Sequence, residues 1–502
     1  MSVYLKQDEP DNANRLDNMR QGVLGTDASR IEGLLKVTGT APYAAEYQLD
    51  DCLEGVIVTA TIPKGEVTRI DADSVLSMPG VVTVIDDPAL IARPAQGTAG
   101  EAPEQPARKV GYFGQPIALV VAETFEQARD AAKHLSVSYR EDDDAAFDPE
   151  AVEAETKDGA TSQGDLAHAM KVAAASVDQT YRTEGHSSAA MEPHAAIAQW
   201  DGDTLTVYAS LQMLNYNISE LADSLGLDED KVRLVSRYVG GGFGSKLGIS
   251  EETVAASVAA MKLERPVRVA MLRQQGLQCI MRRSETRQRF RLTADEDGKL
   301  TGFGHEARVS NLPGESFAEP VLQSSHFLYA GENRELSMEV ARIHRMTAGS
   351  VRAPGEAVGM PALECAMDVL AEKCGVDPVE LRLRNIPDRH PANGTPFSSH
   401  KLAECLKQGA EAFGWDSGPR SPRHTREGEW WIGTGMASAA RVHNVGEAKA
   451  RVTLKADGTA LVETDMTDIG TGTYTILAQT VGEMLGLPVE KVLVELGDTR
   501  HP

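Results

Sequence analysis

Residues 239–246 read VGGGFGSK, and the prediction of the fold starts from this glycine-rich stretch. Four glycines in eight residues are typical of a loop in which the backbone closely approaches a bound group. Two common phosphate-binding motifs do not match. A Walker A loop requires a lysine directly after its last glycine, whereas Ser245 separates Gly244 from Lys246. The dinucleotide pattern G-x-G-x-x-G requires a glycine at Ser245 or Leu247, and neither is one.

The segments on either side of this stretch predict a strand and a helix. Residues 232–238, VRLVSRY, combine β-branched and apolar side chains, which favours a strand. Residues 250–262, SEETVAASVAAMK, begin with Ser250 as an N-cap and place two acidic side chains in the first turn, where the helix dipole favours negative charge. A strand-to-helix turn whose glycines only permit positive φ is therefore one interpretation of the loop.

The composition indicates several globular domains with an acidic surface. A chain of 502 residues is too long for one ordinary core. The net charge of −24 argues against a nucleic-acid partner and against an anionic membrane surface. An anionic ligand then has to be held locally, by backbone N–H groups at glycine-rich loops and helix N-termini.

The cysteines and the N-terminus bear on metal content and compartment. The five cysteines lack C-x-x-C spacing, so neither a structural zinc nor an iron–sulfur site is expected. Cys365 and Cys374 lie in a helical apolar pattern and are expected to be buried thiols. The N-terminus lacks the apolar core of a signal peptide, and no run of about 18 apolar residues predicts a membrane span. The expected compartment is the cytoplasm, or the periplasm after export with a signal-bearing partner.

Alternating strand and helix patterns over the rest of the chain predict an α+β protein. The β-branched runs GVIVTATI and PIALVVAE precede the amphipathic segment FEQARDAAKHL. Asp-Gly lies between alternating runs at residues 201–202, 297–298 and 457–458, which predicts three β-hairpins. A later helix is predicted to end at Gly375.

Two further loops and one strand end carry polar groups of the kind that bind a cofactor. Residues 350–359, SVRAPGEAVG, place an arginine beside a Pro-Gly turn directly before a helix. Residues 467–475, TDIGTGTYT, place two glycines and four threonines before another helix, and residues 209–212, ASLQ, end a strand with a glutamine. Both loops are expected to aim free N–H groups and hydroxyls at one point, as a phosphate or a polar cofactor requires.

With these motifs in this order, the sequence resembles the molybdopterin-binding large subunit of the xanthine dehydrogenase and aldehyde oxidase family. It is most similar to bacterial aldehyde oxidoreductases of the three-subunit type. The resemblance runs from about Ile31 to Pro502. The segments that carry it are RIEGLLKVTGTAPYAAE, FGQPIALVVAETFEQARDAA, MEPHAAIAQWDG, VGGGFGSK, VRAPGEAVGMPALE, DPVELRLRN and DIGTGTYT.

The resemblance implies a fold and a cofactor. An N-terminal α/β hammerhead domain is expected before a molybdopterin-binding region in two parts, the second of them incomplete. The implied cofactor is a molybdenum-molybdopterin cytosine dinucleotide, whose metal is held through the pterin dithiolene, so that no protein atom need ligate it. The predicted divisions are a polar arm at 1–26, the hammerhead domain at 27–145, an acidic linker at 146–165, and the two molybdopterin-binding parts at 166–420 and 421–502.

The implied site residues are those that match the motifs of the family by position. The backbone at Phe243 and Gly244 is implied to face the oxo ligand of the metal, and Gln212 to hydrogen-bond beside it. Many relatives carry a glutamine where this chain has Thr471, whose shorter side chain reaches less far towards the pterin. The other implied cofactor contacts are Gly242, Arg352, Ala353, Gly470, Thr471, Gly472 and Thr473.

Arg441 is implied to lie on the substrate side of the metal, where a guanidinium steadies an aldehyde oxygen or a carboxylate product. An exposed arginine at a strand end is the alternative. Residues 191–194, MEPH, suggest a metal site, but no H-E-x-x-H or comparable spacing occurs. Glu192 and His194 are instead predicted to order a loop.

The function implied by the resemblance is oxidation of aldehydes to carboxylic acids with water as the oxygen source. A glutamate base removes a proton from the metal-bound hydroxide, and electrons leave through iron–sulfur clusters and flavin. A small 2Fe-2S subunit and an FAD-binding subunit are the expected partners. The G-x-G-E segment of the base is not found, so we expect either that a C-terminal polypeptide completes the second part or that the sequence is a piece of a longer protein. Hydroxylation of purines or other N-heterocycles, and a non-catalytic scaffold, are the alternatives.

Overall fold

A computed structural model describes residues 21–90, 108–397, 400–416, 418, 423, 425–441 and 447–502. Within the described ranges, no helix is both long enough and apolar enough to cross a membrane. The secondary structure is given below in three consecutive stretches.

The first stretch contains the strands of the predicted hammerhead domain. Strand β5 is buried along its whole length, in agreement with its continuous apolar sequence PIALVVA. Helix α3 begins after Thr124, whose hydroxyl accepts the N–H of Gln127 at 3.3 Å. The elements are α1 (Gly33–Val37), β1 (Leu53–Thr59), β2 (Gly65–Asp71), α2 (Asp73–Leu76), β3 (Val81–Ile85), β4 (Lys109–Val110), β5 (Pro116–Ala122), α3 (Phe125–His134) and β6 (Ser136–Glu141).

The second stretch is the longest and alternates strands with helices. Helix α8 ends at Gly375 as predicted, because this residue adopts a left-handed conformation and caps the helix. The elements are β7 (Ala154–Thr156), β8 (Thr161–Gln163), α4 (Leu166–Val172), β9 (Ala175–Thr183), β10 (His186–Ser187), β11 (Ala195–Trp200), β12 (Leu205–Ala209), α5 (Leu214–Leu225), β13 (Val232–Val235), α6 (Glu251–Leu263), β14 (Val267–Ala270), α7 (Arg273–Gln278), β15 (Arg282–Arg283), β16 (Thr286–Ala294), β17 (Leu300–Asn311), β18 (Asn333–Arg342), α8 (Glu356–Cys374), α9 (Pro378–Asn385) and α10 (Leu402–Phe413).

The third stretch contains a short hairpin and a small sheet that packs on one helix. The sheet has the order β21-β22-β23, and β22 and β23 run parallel. The elements are β19 (Thr425–Glu427), β20 (Trp430–Ile432), β21 (Arg451–Leu454), β22 (Ala460–Thr464), α11 (Thr473–Leu485) and β23 (Val492–Leu496).

A seven-stranded sheet joins the first stretch to the second. Its order is β13-β12-β11-β14-β1-β5-β3, so four strands of the second stretch lie beside three of the first, and the two groups meet between β14 and β1. Strand β1 runs parallel to β14, with Leu53 opposite Val267. Helix α6 packs on this sheet through β11 and β14, and its alanines and valines are buried from Val254 to Ala260. The largest hydrophobic core of the described chain therefore lies between this sheet and α6.

A six-stranded sheet forms the second core, and part of the predicted linker belongs to it. Its main path is β7-β18-β17-β16-β9, and β8 also pairs with β18. Strands β7 and β8 lie within residues 146–165, where the acidic composition predicts a linker without regular structure. They pair with β18 because backbone hydrogen bonds form whatever the charge of the outward-facing side chains.

The three predicted hairpins are confirmed, and one prediction about cysteines is wrong. Strands β11 and β12, β16 and β17, and β21 and β22 are antiparallel pairs around the predicted Asp-Gly turns.

Cys374 is half-buried, but Cys365 is exposed. Helix α8 packs on the six-stranded sheet through Leu363, Ala366 and Met367, which leaves Cys365 on the opposite face.

Candidate functional site

The glycine loop, residues 239–246, connects β13 to α6 as predicted. Gly244 has a φ of +99°, and a methyl group built there would overlap the carbonyl oxygen of Ser350. A methyl group on Gly242 would likewise overlap the side chain of Gln212. Phe243 adopts a φ of 54° between them, which is unusual for a side-chain-bearing residue. These glycines are therefore needed for close approach to two neighbouring segments, in addition to the turn itself.

Gln212 is held against the glycine loop by its backbone and its side chain. Its Oε1 accepts the N–H of Gly244 at 3.0 Å and the N–H of Lys246 at 3.4 Å. Its own N–H donates to the carbonyl of Lys246 at 2.7 Å. Because Oε1 faces the loop, Nε2 is the end of the amide that remains available, and it has no acceptor among the residues that the structure describes. The N–H of Gly244, by contrast, is already bound.

Glu192 and His194 order the glycine loop, which confirms the prediction for them. Glu192 Oε2 accepts from the N–H of Gly240 at 2.7 Å, from Ser210 Oγ at 2.6 Å and from Lys246 Nζ at 2.8 Å. The Lys246 side chain is completely buried, and this burial lowers its pKa while Glu192 opposes the shift. His194 Nε2 donates to the carbonyl of Ser245 at 3.0 Å. Burial lowers the pKa of His194 to about 3, so its ring is neutral.

The arginine loop, residues 350–355, lies directly against the glycine loop. The N–H of Arg352 donates to the carbonyl of Phe243 at 2.7 Å. Ala353 has a φ of 54° and belongs, with Phe243, to the small set of non-glycine residues in a left-handed conformation. Such strained residues on two touching loops are typical of a functional site.

Two buried charged residues that the sequence did not reveal hold the arginine loop. Arg283 donates to the carbonyl of Val351 at 3.1 Å and to Glu319 Oε1 at 2.9 Å. Glu319 also accepts the N–H of Gly355 at 2.6 Å. Burial raises the pKa of Glu319, an effect that the neighbouring N–H and Arg283 oppose. These residues are separated by 36 positions from one another, and no local motif marks them.

The threonine loop, residues 467–473, completes the arrangement. The N–H of Val239 donates to the carbonyl of Asp468 at 3.2 Å, and Thr467 Oγ1 donates to the carbonyl of Gln212 at 3.0 Å. The expectation of free N–H groups is wrong for Gly470 and Gly472. Both donate to Asp468 Oδ1, at 2.8 and 3.3 Å, because an aspartate can bond its own backbone two and four residues on.

The three loops and Gln212 meet, and we call this assembly the cradle. Arg441 lies beside it: Nη1 pairs with Glu356 Oε1 at 2.9 Å, and Glu356 follows the arginine loop as the first residue of α8. The Arg441 side chain is 52% exposed. The structure thus brings together the residues that the sequence predicts, and their roles towards a cofactor and a substrate stay predictions.

Comparisons with known proteins bear on the family and the fold class. The family described as molybdopterin cofactor-binding domain matches residues 148–386, and a second family of that description matches residues 408–502. The family described as aldehyde oxidase and xanthine dehydrogenase, a/b hammerhead domain, matches residues 38–143. These matches confirm the predicted fold class, in which a hammerhead domain precedes molybdopterin-binding regions.

Individual relatives give the same result. The aldehyde oxidoreductase molybdenum-binding subunit PaoC of Escherichia coli strain K12 is 42% identical over 510 residues, which cover 99% of this chain and 68% of that protein. A putative xanthine dehydrogenase molybdenum-binding subunit of the same strain is 28% identical, over 93% of this chain and 66% of that protein. The structure of quinoline 2-oxidoreductase from Pseudomonas putida 86 superposes with a TM-score of 0.82 at 21% identity, over 96% of this chain and 67% of that one.

Proposed function

The chain belongs to the aldehyde oxidase and xanthine dehydrogenase family of molybdopterin-binding subunits, and from this premise we propose that it is the molybdenum-cofactor subunit of an aldehyde oxidoreductase. The enzyme would convert aldehydes to carboxylic acids with oxygen from water. The observation that carries the proposal is the cradle, in which three separate loops and Gln212 meet, in a chain 42% identical to an aldehyde oxidoreductase subunit.

The cradle suits a large polar cofactor. Gly470 has a φ of +97°, and a methyl group built there would meet no atom within 4 Å, so the surface above it is open. Gln212 Nε2 offers donors at the glycine loop. Phe243 is 40% exposed beside them. An open surface next to directed donors is what a pterin and its phosphates require.

We assign the following roles within that site. When bound, the molybdenum centre supplies the two-electron redox chemistry and the Lewis acidity. Gln212 would hold the bound group through a hydrogen bond from Nε2, because its Oε1 already accepts two N–H groups of the glycine loop. Arg441 orients the aldehyde or carboxylate oxygen, and Glu356 fixes the direction of its guanidinium. Gly470, Thr471, Gly472 and Thr473, together with Gly242, Phe243, Gly244, Arg352 and Ala353, bound the space for the cofactor.

We further propose the cytosine dinucleotide form of the cofactor and partner subunits for electron transfer. The five cysteines of this chain do not have the spacing of an iron–sulfur site, so the 2Fe-2S clusters and FAD are assigned to a small iron–sulfur subunit and an FAD-binding subunit. The sequence contains no G-x-G-E segment, so removal of the proton is assigned to a glutamate outside these 502 residues.

The test is the molybdenum content and the released nucleotide of the complex purified natively through this chain. About one molybdenum per chain, with CMP after acid hydrolysis, and reduction of the complex by aldehydes are expected. A complex without molybdenum would contradict the proposal and favour a non-catalytic scaffold instead. Faster reduction by N-heterocycles than by aldehydes would favour the second candidate, which the 28% identity to a putative xanthine dehydrogenase subunit supports.

A further inference from the structure

The segment Arg30–Lys36 of the first stretch lies on the threonine loop and the start of α11, although 432 positions separate Lys36 from Asp468. Lys36 Nζ is 3.3 Å from Asp468 Oδ2 and 3.5 Å from Glu32 Oε1, so its ammonium lies between two carboxylates. Two more contacts reach Thr475, in the first turn of α11. Its hydroxyl donates to Glu32 Oε2 at 3.3 Å and accepts the N–H of Ile31 at 3.1 Å. The sequence RIEGLLKVTG carries the family resemblance, and the function proposed above gives it no role.

The charge at the centre of this contact is buried. The side chains of Asp468 and Glu32 are 0% and 2% exposed, and that of Lys36 is 18% exposed. Burial raises the pKa of Asp468, but the N–H groups of Gly470 and Gly472 and the Lys36 ammonium outweigh it and lower the pKa below its ordinary value. Asp468 is therefore ionised, and removing the cation beside a buried carboxylate is strongly destabilising.

Asp468 uses its two oxygens for different purposes. Oδ1 accepts the N–H groups of Gly470 and Gly472 and so fixes the turn of the threonine loop. Oδ2 faces Lys36. Without Lys36, a negative charge would remain directly under a loop assigned to an anionic cofactor, and the carboxylate would tend to turn towards water and release the two N–H groups.

We propose that Lys36 is a positioning residue of the cofactor site, which neutralises Asp468 so that this carboxylate can hold the threonine loop in its binding conformation. The assignment of the loop to the cofactor rests on the proposed function. The shape of the loop itself does not, because the hydrogen bonds of Asp468 are internal to the chain.

The experiment compares Lys36→Met with Lys36→Arg in the natively purified complex. Two quantities are measured: molybdenum per chain, and the rate of amide hydrogen exchange at residues 468–473 after the cofactor has been removed. Lys36→Met should lower the molybdenum content and raise the exchange rate, each on the order of tenfold, and Lys36→Arg should stay within about twofold of the wild type. Lys64→Met is the control, because Lys64 pairs with exposed Asp144 at 2.7 Å.

A double variant separates positioning from a general loss of stability. Asn in place of Asp468 can still accept both N–H groups but carries no charge, so Lys36→Met should add little exchange in an Asp468→Asn background. Equal effects of Lys36→Met in both backgrounds would overturn the proposal, as would unchanged exchange in the single variant. A wild-type complex without molybdenum would contradict the proposed function, while the exchange rates would still decide the role of Lys36.

Discussion

The glycine loop and the threonine loop of the cradle, which we call its two halves, are held by different means. The glycine loop is fixed from within its own stretch by Glu192, which gathers Gly240, Ser210 and Lys246 around one carboxylate. The threonine loop belongs to a small sheet whose strand β21 is exposed along its length. Its shape depends on Asp468 and on a lysine from the opposite end of the sequence. The glycine loop is thus held by a residue of its own stretch, whereas the threonine loop also depends on a segment far away in the sequence.

The largest effect is expected from Glu192→Ala. The substitution leaves Lys246 buried without a carboxylate and removes an acceptor from Gly240, so the free energy of unfolding should fall by about 3–5 kcal/mol. Urea denaturation measures it. Asp203→Ala is the control, because it breaks an exposed pair with Lys231 that contributes little to stability. Similar losses for both variants would show that the glycine loop is not fixed in this way.

Two glycines with nearly equal φ sharpen the comparison between the halves. Alanine at Gly470 meets open space and should cost about 1–2 kcal/mol for its left-handed conformation alone. Alanine at Gly244 has that same cost and also overlaps the carbonyl of Ser350, so about 2 kcal/mol more is expected, together with loss of molybdenum. Thermal unfolding and metal analysis of the two variants provide the measurement. Equal losses of stability in the two variants would contradict the close approach of the glycine loop to the arginine loop.

The pH dependence of stability tests the glycine-loop half. The pKa of about 3 for folded His194 lies below the ordinary value near 6.5, so the unfolded chain binds a proton that the folded chain does not. The stability that neutral His194 contributes to the folded protein is fully present above about pH 6.5. Below that pH it declines by up to about 1.4 kcal/mol per pH unit. His194→Gln should reduce the slope of unfolding free energy between pH 6 and 4, and a full slope in that variant would contradict the burial of this ring. His305, whose pKa is also lowered to about 3, should still contribute to the pH dependence of stability in that variant.

The last comparison concerns Arg441, which lies outside both halves and pairs with Glu356. Arg441→Ala should lower kcat/KM for aldehydes on the order of tenfold, while the molybdenum content should differ from that of the wild type by less than about 25%. Steady-state kinetics with metal analysis on the same preparation decide the outcome, and Arg441→Lys should recover part of the rate. Parallel losses of rate and metal would assign Arg441 to the cofactor instead of the substrate.

The sequence predicted the elements of the cradle better than the contacts that hold them. The hairpins and the glycine loop follow from local patterns. For Glu192 the sequence predicts an ordering role but not the partners, which lie up to 54 positions away. The pairs Arg283–Glu319 and Lys36–Asp468 could not be predicted in this way, since each joins positions far apart and depends on the complete fold. Cys365 is a different case: it lies outside the helically spaced stripe of buried residues on α8, so its exposure could have been predicted from the periodicity.

The seven-stranded sheet has a consequence for the order in which the protein is made. Strand β1 leaves the ribosome early, yet its neighbour on one side is β14, where Leu53 faces Val267. More than 200 further residues must be synthesised before that edge of β1 is covered. Until then an apolar strand edge of the nascent hammerhead domain is open to wrong pairing. Ribosome-bound chains stopped before residue 260 should therefore need a chaperone, and chains that extend past 300 should be protected by their own sheet.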